Sequence, residues 1–338
     1  MKLEFSVPAS FLLTGEYFIT EPGEWGCALA SFPVVTIAIT PADSLQCRTL
    51  FGGKNCAAEH SFDLAHARPD HSAEALAAAV AQQWQHSVGS LIDVTGLIRV
   101  DSRQFFHNDG RKRGFGSSAA VCAGICAALA WLHPDGRTLS RAHLAQIAVQ
   151  AHRRFQNGKG SGYDVMTAIM GGTGFFQGGE QPVWLPATRL DTLLQPLFLL
   201  NAPQPVSTPQ SILGFSTFRN RHPQLHAALR DRSRTLHTTL MQLDRAPSDR
   251  TQLIPLIDSA RRLSEDVGRA IGIPAEPHSE LIAGLAPPPA SGQRVLKAAG
   301  AGGETFIACG WSHSPHYSCE PINVFAAALP LPGIKAES

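Results

Sequence analysis

The sequence predicts an α+β chain of two domains, and three of its features carry that expectation. The first is length: 338 residues is about two domains' worth of chain, enough to bury a core without disulfide or metal staples. The second is that strand-like and helix-like stretches occur together in each half. The third is a cluster of Gly178, Gly179, Pro182 and Pro186, which breaks the pattern over 177–186 and marks a soft boundary. An N-terminal domain over 1–180 and a C-terminal domain over 181–338 follow.

The elements read as follows. Leu3, Phe5 and Val7 alternate with Lys2, Glu4 and Ser6, the period of a half-buried strand. Residues 34–40 (VVTIAIT) are β-branched and apolar, as in a buried strand. Residues 74–85 are Ala-rich and read as a helix, and 96–100 as a strand. A small-residue helix over 117–131 is stopped by Pro134. A second helix over 140–155 has Leu144, Ile147, Ala148 and Ala151 at helical spacing, and 160–169 begins a third. In the second half, 196–200 (PLFLL) is a strand, and 225–243 and 253–271 are long helices. Pro287, Pro288 and Pro289 break the chain before a strand–loop–strand over 294–309.

Composition excludes several classes of function. Hydrophobic residues make up 44%, ordinary for a soluble globular chain, and charged residues only 16%, which points to a large core or a buried interface. The formal net charge of +1 argues against nucleic acid or an anionic membrane as main partner. No apolar run approaches the roughly 18 residues of a membrane span. The first ten residues carry no basic segment leading into an apolar one, so no signal peptide is expected and the expected location is cytoplasmic. Seven cysteines, an odd number, read as reduced thiols, with Cys122 and Cys126 as small core residues on one helix face. His313 and His316, with Cys309 and Cys319 nearby, fit no zinc spacing and read as loop residues; His222 and His226 read as a polar helix start.

The strongest chemical signal is Arg111-Lys112-Arg113-Gly114-Phe115-Gly116-Ser117-Ser118-Ala119-Ala120. Glycines let the backbone run close to a ligand. The free N–H groups at the start of the apolar helix that follows favour an anion. Three basic residues and two hydroxyls suit a triphosphate with a hard cation. The run is neither a Walker loop nor a dinucleotide fingerprint. An ordinary helix capped by Ser117 or Ser118 explains the same residues equally well when they are taken alone.

Gly114 to Ala120 resembles the second motif of the GHMP kinase superfamily, G-[LF]-G-S-S-A-A, and the other two superfamily motifs appear in order. Pro8-Ala9-Ser10-Phe11-Leu12-Leu13-Thr14-Gly15-Glu16-Tyr17 is similar to P-G-K-L-x-x-x-G-E-[YH], with Ser10 in place of the lysine. Serine supplies no positive charge to a transferring phosphoryl group. Gly300-Ala301-Gly302-Gly303 matches the glycine-rich third motif, from which Glu304 and Thr305 depart. The stretch from Ala151 and His152 through Gly160-Ser161-Gly162-Tyr163-Asp164-Val165 resembles the phosphomevalonate kinase pattern A-H-x-x-x-Q-G-K-x-G-S-G-[FY]-D-[VI], with a one-residue slip at Asn157 before Lys159. Ser207 and Thr208 match the end of a weaker family pattern near the acceptor.

The resemblance implies a GHMP kinase fold: an N-terminal domain like ribosomal protein S5 domain 2 and a ferredoxin-like C-terminal domain. It implies ATP and magnesium as cofactors. Gly114, Phe115, Gly116, Ser117, Ser118, Ala119 and Ala120, with Gly300, Ala301, Gly302 and Gly303, would cradle the nucleotide, and Ser118 would ligate the metal. Asp164 would act on the acceptor, although an Asp in that place is also a common helix N-cap. Lys112 is a candidate to replace the charge missing at Ser10. Ser10, Glu16, Tyr17, His152, Gly160, Ser161, Gly162, Ser207 and Thr208 would face the substrate, a small phosphorylated or hydroxylated acid. His152, Arg153 and Arg154 stand where mevalonate kinases carry an acidic metal ligand, which suits an acceptor that already bears a phosphate, 5-phosphomevalonate first. Mevalonate or another small alcohol, or a degenerate chain that binds without catalysis, are the alternatives. The expected assembly is a monomer or homodimer.

Overall fold

The structure, a computed structural model, describes residues 2–71, 74–158, 160–201, 208–246, 249–273, 275–277, 294–300, 305–310 and 320–332. In chain order its elements are β1 (Leu3–Thr14), β2 (Trp25–Thr40), β3 (Leu45–Phe51), β4 (Ala58–Asp63), α1 (Ala75–Ser87), β5 (Gly96–Asp101), α2 (Ser117–Leu132), α3 (Arg141–Phe155) and α4 (Tyr163–Met170). There follow β6 (Thr173–Gln177), β7 (Val183–Pro186), α5 (Leu190–Leu194), β8 (Leu197–Asn201), α6 (Thr208–Arg221), α7 (Pro223–Arg245), α8 (Arg250–Ile271), β9 (Val295–Ala298), β10 (Thr305–Cys309) and β11 (Glu320–Ile322).

The chain forms two compact units that are not the contiguous halves 1–180 and 181–338. The first comprises Met1–Ser10, Ala30–Gly172 and Phe325–Ser338; the second comprises Phe11–Leu29 and Thr173–Val324. In the Gly/Pro cluster that suggests a boundary, Gly178, Gly179 and Pro182 lie in the connection of the β6–β7 hairpin and Pro186 ends β7. Such a cluster reports a tight turn of any kind, and a hairpin satisfies it as well as a linker does.

In the first unit β3 pairs antiparallel with β4 and parallel with β5. β5 pairs antiparallel with the Thr36–Thr40 part of β2. Helices α1, α2, α3 and α4 pack on one another, and α2 also packs on β5. The small residues of α2 are what let it lie close: a Cβ on Gly124 would meet Ile37 Cδ1 at 2.6 Å. The segment near the C-terminus is stitched in by backbone bonds, Gly172 N–H to Phe325 C=O, Phe325 N–H to Ala30 C=O and Leu329 N–H to Ile169 C=O. Neither β3 nor β4 is evident from periodicity. β4 is an edge strand with a mostly exposed side-chain pattern, so it lacks the apolar alternation that marks a half-buried strand.

In the second unit the Trp25–Leu29 part of β2 pairs with β6, and β6 with β7. A separate antiparallel sheet has the order β11-β8-β10-β9, and its apolar cluster includes Phe198, Leu200, Leu296 and Phe306. α8 starts on a capping box in which Asp249 and Gln252 satisfy each other's backbone amides. The buried Asp244 carboxylate of α7 accepts from the N–H groups of Thr188, Arg189 and Leu190 at 2.8–3.0 Å and so caps α5 from outside its own chain segment. Six described cysteines are free thiols, Cys56 exposed and the others buried. No helix among the described residues is long and apolar enough to cross a membrane.

Candidate active site in the first unit

The N-terminus of α2 is open. Gly114 and Gly116 have φ of 75° and 72°, the left-handed region that favours glycine. Gly116 is itself the N-cap, without a side-chain hydrogen bond to the helix. Ser117 and Ser118 are therefore the first two helical residues and not caps. The amides of Ala119 and Ala120 both turn to the Gly116 carbonyl. Phe115 is buried and anchors the loop. A Cβ on Gly116 would come within 3.1 Å of Ser10 Oγ, which places Ser10 directly against the loop. Ser10 is 6% exposed, and its hydroxyl has no hydrogen-bond partner among the described residues.

The last turn of α3 and the first of α4 supply the rest. His152 is buried, and its Nε2 lies 3.1 Å from Ser118 Oγ. Its Nδ1 lies 3.8 Å from Asp164 Oδ1. A tautomer with the proton on Nδ1 makes Nε2 the acceptor for the Ser118 hydroxyl and turns the N–H toward Asp164. Asp164 is not the N-cap of α4, a place that Gly162 takes; its Oδ1 accepts from the Val165 amide at 2.9 Å. The turn between the helices is held by Arg153, which donates to the Ser161 carbonyl at 2.6 Å. Arg153 is pulled below the usual guanidinium range by burial, partly offset by the Asp164 charge. Its Nε has no partner among the described residues. Arg154 turns the other way, to Gln82 and Gln83 of α1. Gly160 packs on the Gln156 side chain, and the Ser161 hydroxyl accepts from the Tyr163 amide at 3.4 Å.

Beside the open helix end is a cavity of about 500 Å³. Its walls are mostly apolar, with Phe51, Val100, Phe106, Val121, Ile125 and Phe155 among them, and its polar lining includes Lys112, Ser117 and Ser118. A volume in the range of roughly 300–1,000 Å³, mostly apolar walls and a few polar groups are the marks of a small-molecule site. Arg111 pairs with Asp109, whereas Lys112 lines the cavity. The wall residues from β3, Phe106 and Phe155 carry no motif. Single aromatic residues in strands and loops read as core, and only the fold shows that they border an open volume.

The other expected site residues are placed differently. In the second unit Glu16 is buried and its carboxylate receives the ammonium of the fully buried Lys297 of β9. Burial raises the Glu16 carboxyl and Lys297 pulls it back down. Tyr17, also buried, stacks on Phe215 at a centroid distance of 5.4 Å, and its phenol is pushed up to about 12 by burial. Glu16 and Tyr17 thus pack inward within their unit. The signal for the pair was a lone lysine in the apolar strand VLKA, which is an unusual place for a charge without a partner. His226, read as part of a polar helix start, is buried and lies 2.9 Å from the Glu21 carboxylate. Gly300 follows β9 with φ 68°. Ala301, Gly302, Gly303, Glu304, Lys159, Ser207, His313, His316 and Cys319 lie outside the described residues. Thr208 opens α6, and its side chain lies outside them too.

The open helix end and the paired glycines lie in the part of the chain that is similar to a known family. Residues 96–172 match the model of the GHMP kinases N terminal domain. Several solved structures share the fold. A Lin0012 protein from Listeria innocua has TM-score 0.72 and 18% identity over 91% of this chain and 90% of that one. The Streptococcus pneumoniae phosphomevalonate kinase in complex with phosphomevalonate and AMPPNP has TM-score 0.68 and 16% identity over 92% and 93%. The Lactococcus lactis galactokinase complexed with galactose has TM-score 0.66 and 12% identity over 96% and 94%. At these identities the likeness is one of fold. No curated protein matches the sequence.

Proposed function

We propose that the chain is an ATP- and magnesium-dependent small-molecule kinase whose acceptor is 5-phosphomevalonate. The observation that carries this reading is the convergence of Ser118, His152 and Asp164 at the open N-terminus of α2, beside the cavity. The residues suit the cofactors. Uncapped amides and left-handed glycines suit phosphate oxygens. The cavity has room for a purine. A serine hydroxyl and a carboxylate are the hard oxygen donors that magnesium prefers, one or two of them beside retained waters.

Bound Mg-ATP supplies the transferable phosphoryl group and neutralises the charge on it. The amides at the start of α2 would hold its phosphate oxygens, and Lys112 would add positive charge at the cavity edge. Ser118 donates its hydroxyl hydrogen bond to His152 Nε2, which would leave its lone pairs free to hold the cation. Asp164 orients the acceptor oxygen and takes its proton where there is one. Ser10 offers a neutral hydrogen bond in the lysine's place. Arg153, with an unpartnered Nε near Asp164, favours an acceptor that is already an anion. Phosphomevalonate is bound by one of the proteins of similar fold.

Ser10 also motivates a second reading, a chain that binds nucleotide and does not transfer phosphate. ADP release from Mg-ATP with 5-phosphomevalonate and mevalonate as parallel acceptors separates the two. Turnover with phosphomevalonate alone is the expected result. Turnover with mevalonate alone keeps the kinase and replaces the acceptor. No turnover with either, together with calorimetric binding of Mg-ATP, would favour the second reading.

A further inference from the structure

In the first unit, on the far side of β3 from β5, β4 and the start of α1 bring two histidines and a glutamate to one point. His60 Nε2 and His71 Nδ1 each lie 3.4 Å from Glu74 Oε1. All three ligand atoms are within 4.8 Å of one another. The imidazoles are stacked, 5.0 Å between centroids and 15° between planes, so each restricts the other's rotation. The Glu74 side chain is 4% exposed. His71 Nδ1 is buried and makes no hydrogen bond of normal length. The carboxylate is positioned from behind by Arg68, whose backbone amide donates to Oε2 at 2.9 Å and whose guanidinium donates to Oε1 at 2.7 Å.

We infer that His60, His71 and Glu74 form a binding site for a zinc-like divalent cation. Bonds of roughly 2.0–2.2 Å at tetrahedral angles place ligand atoms about 3.3–3.6 Å apart, which the two imidazole-to-carboxylate separations of 3.4 Å match, and the two imidazole nitrogens lie within 4.8 Å of each other. Two imidazole nitrogens with one carboxylate suit zinc and its late first-row neighbours, whereas magnesium and calcium ask for oxygen donors. Three protein ligands leave the fourth position to water. Arg68 is largely exposed and free to keep its hold on Oε2 while Oε1 turns to the metal, in the manner of an outer partner that orients a ligand. The bound cation ties edge strand β4 to the residue before α1, whose Leu76 and Ala77 line the cavity. The site is separate from Ser118 and does not depend on the kinase reading.

The test is a titration of the purified, chelator-stripped chain with Co(II) in the absence of nucleotide. One equivalent is expected to give a visible ligand-field band that Zn(II) abolishes. Affinity is expected to fall about 100-fold or more in His60→Ala and in His71→Ala. The exposed His66, paired with Asp63, serves as the control, and His66→Ala is expected to bind as wild type. Zinc is expected to raise the thermal midpoint of wild type and of His66→Ala, and not that of His60→Ala or His71→Ala. X-ray absorption of the zinc-loaded wild type needs no variant to fold, and a shell of nitrogen and oxygen neighbours is expected. No uptake by wild type, unchanged uptake in both histidine variants, or sulfur in the shell would overturn the site.

Discussion

Ser118 Oγ and His152 Nε2 stand 3.1 Å apart although 34 residues separate them in the chain. With Asp164 behind it, His152 decides which way the serine hydroxyl points. In the proposed kinase, Asp164→Asn keeps the shape and removes the charge. It is expected to lower kcat by about 100-fold or more while KM for ATP changes little. His152→Ala is expected to raise the magnesium concentration for half-maximal rate by about tenfold, because Ser118 loses the acceptor that orients its proton. Steady-state kinetics with magnesium varied checks both, and a fully active Asp164→Asn would remove that residue from the mechanism.

The Ser10 hydroxyl is buried beside Gly116 without a partner. An unsatisfied buried hydroxyl costs about 1–3 kcal/mol. Ser10→Ala is therefore expected to leave the free protein as stable as wild type or about 1 kcal/mol more stable, while weakening Mg-ATP binding. Denaturant melts and calorimetry on the same variant check the two halves. A loss of stability with unchanged nucleotide affinity would make Ser10 a packing residue.

Glu16 and Lys297 are a buried ion pair inside the second unit. Lys297→Met removes one partner and leaves a carboxylate without compensation, which costs about 3–5 kcal/mol. The double variant with Glu16→Leu is expected to recover most of that loss, because both desolvated charges are gone. Urea unfolding of the two variants measures the coupling; equal losses in both would show that the pair contributes shape and little electrostatics.

His237 sets a pH dependence. Its Nε2 meets the Thr14 hydroxyl at 2.9 Å and its Nδ1 the Ser233 carbonyl at 2.7 Å. Burial, helped by the nearby Lys297 charge, lowers it from its ordinary 6.5 to about 4. The unfolded chain thus takes up the proton first. Stability is complete above pH 6.5, falls as pH drops below that value and is lost by about pH 4, by roughly 3 kcal/mol in all. His237→Gln keeps a donor and an acceptor but does not titrate. Its unfolding free energy is expected to change less between pH 7 and about 4.5 than that of wild type.

What the sequence by itself determined is the local grammar. The small-residue run after Gly116, the helical spacing before Phe155 and the Gly-Ser-Gly turn before Asp164 are each set by backbone propensities within a few residues, and α2, α3 and α4 follow them. The position of the candidate loop at a helix start was legible for the same reason. Only the tertiary structure decided which of these residues meet. His152 turns to Ser118, Arg153 to the Ser161 carbonyl and Arg154 to α1, three different fates for three neighbours on one helix turn. Glu16 and Tyr17 share a motif with Ser10 yet turn inward within a different unit. The division at Ser10 could not be read, because β1 continues past it as one unbroken strand. A side chain's partner depends on what distant segments place opposite it, and that information is spread over hundreds of residues rather than held in any one window.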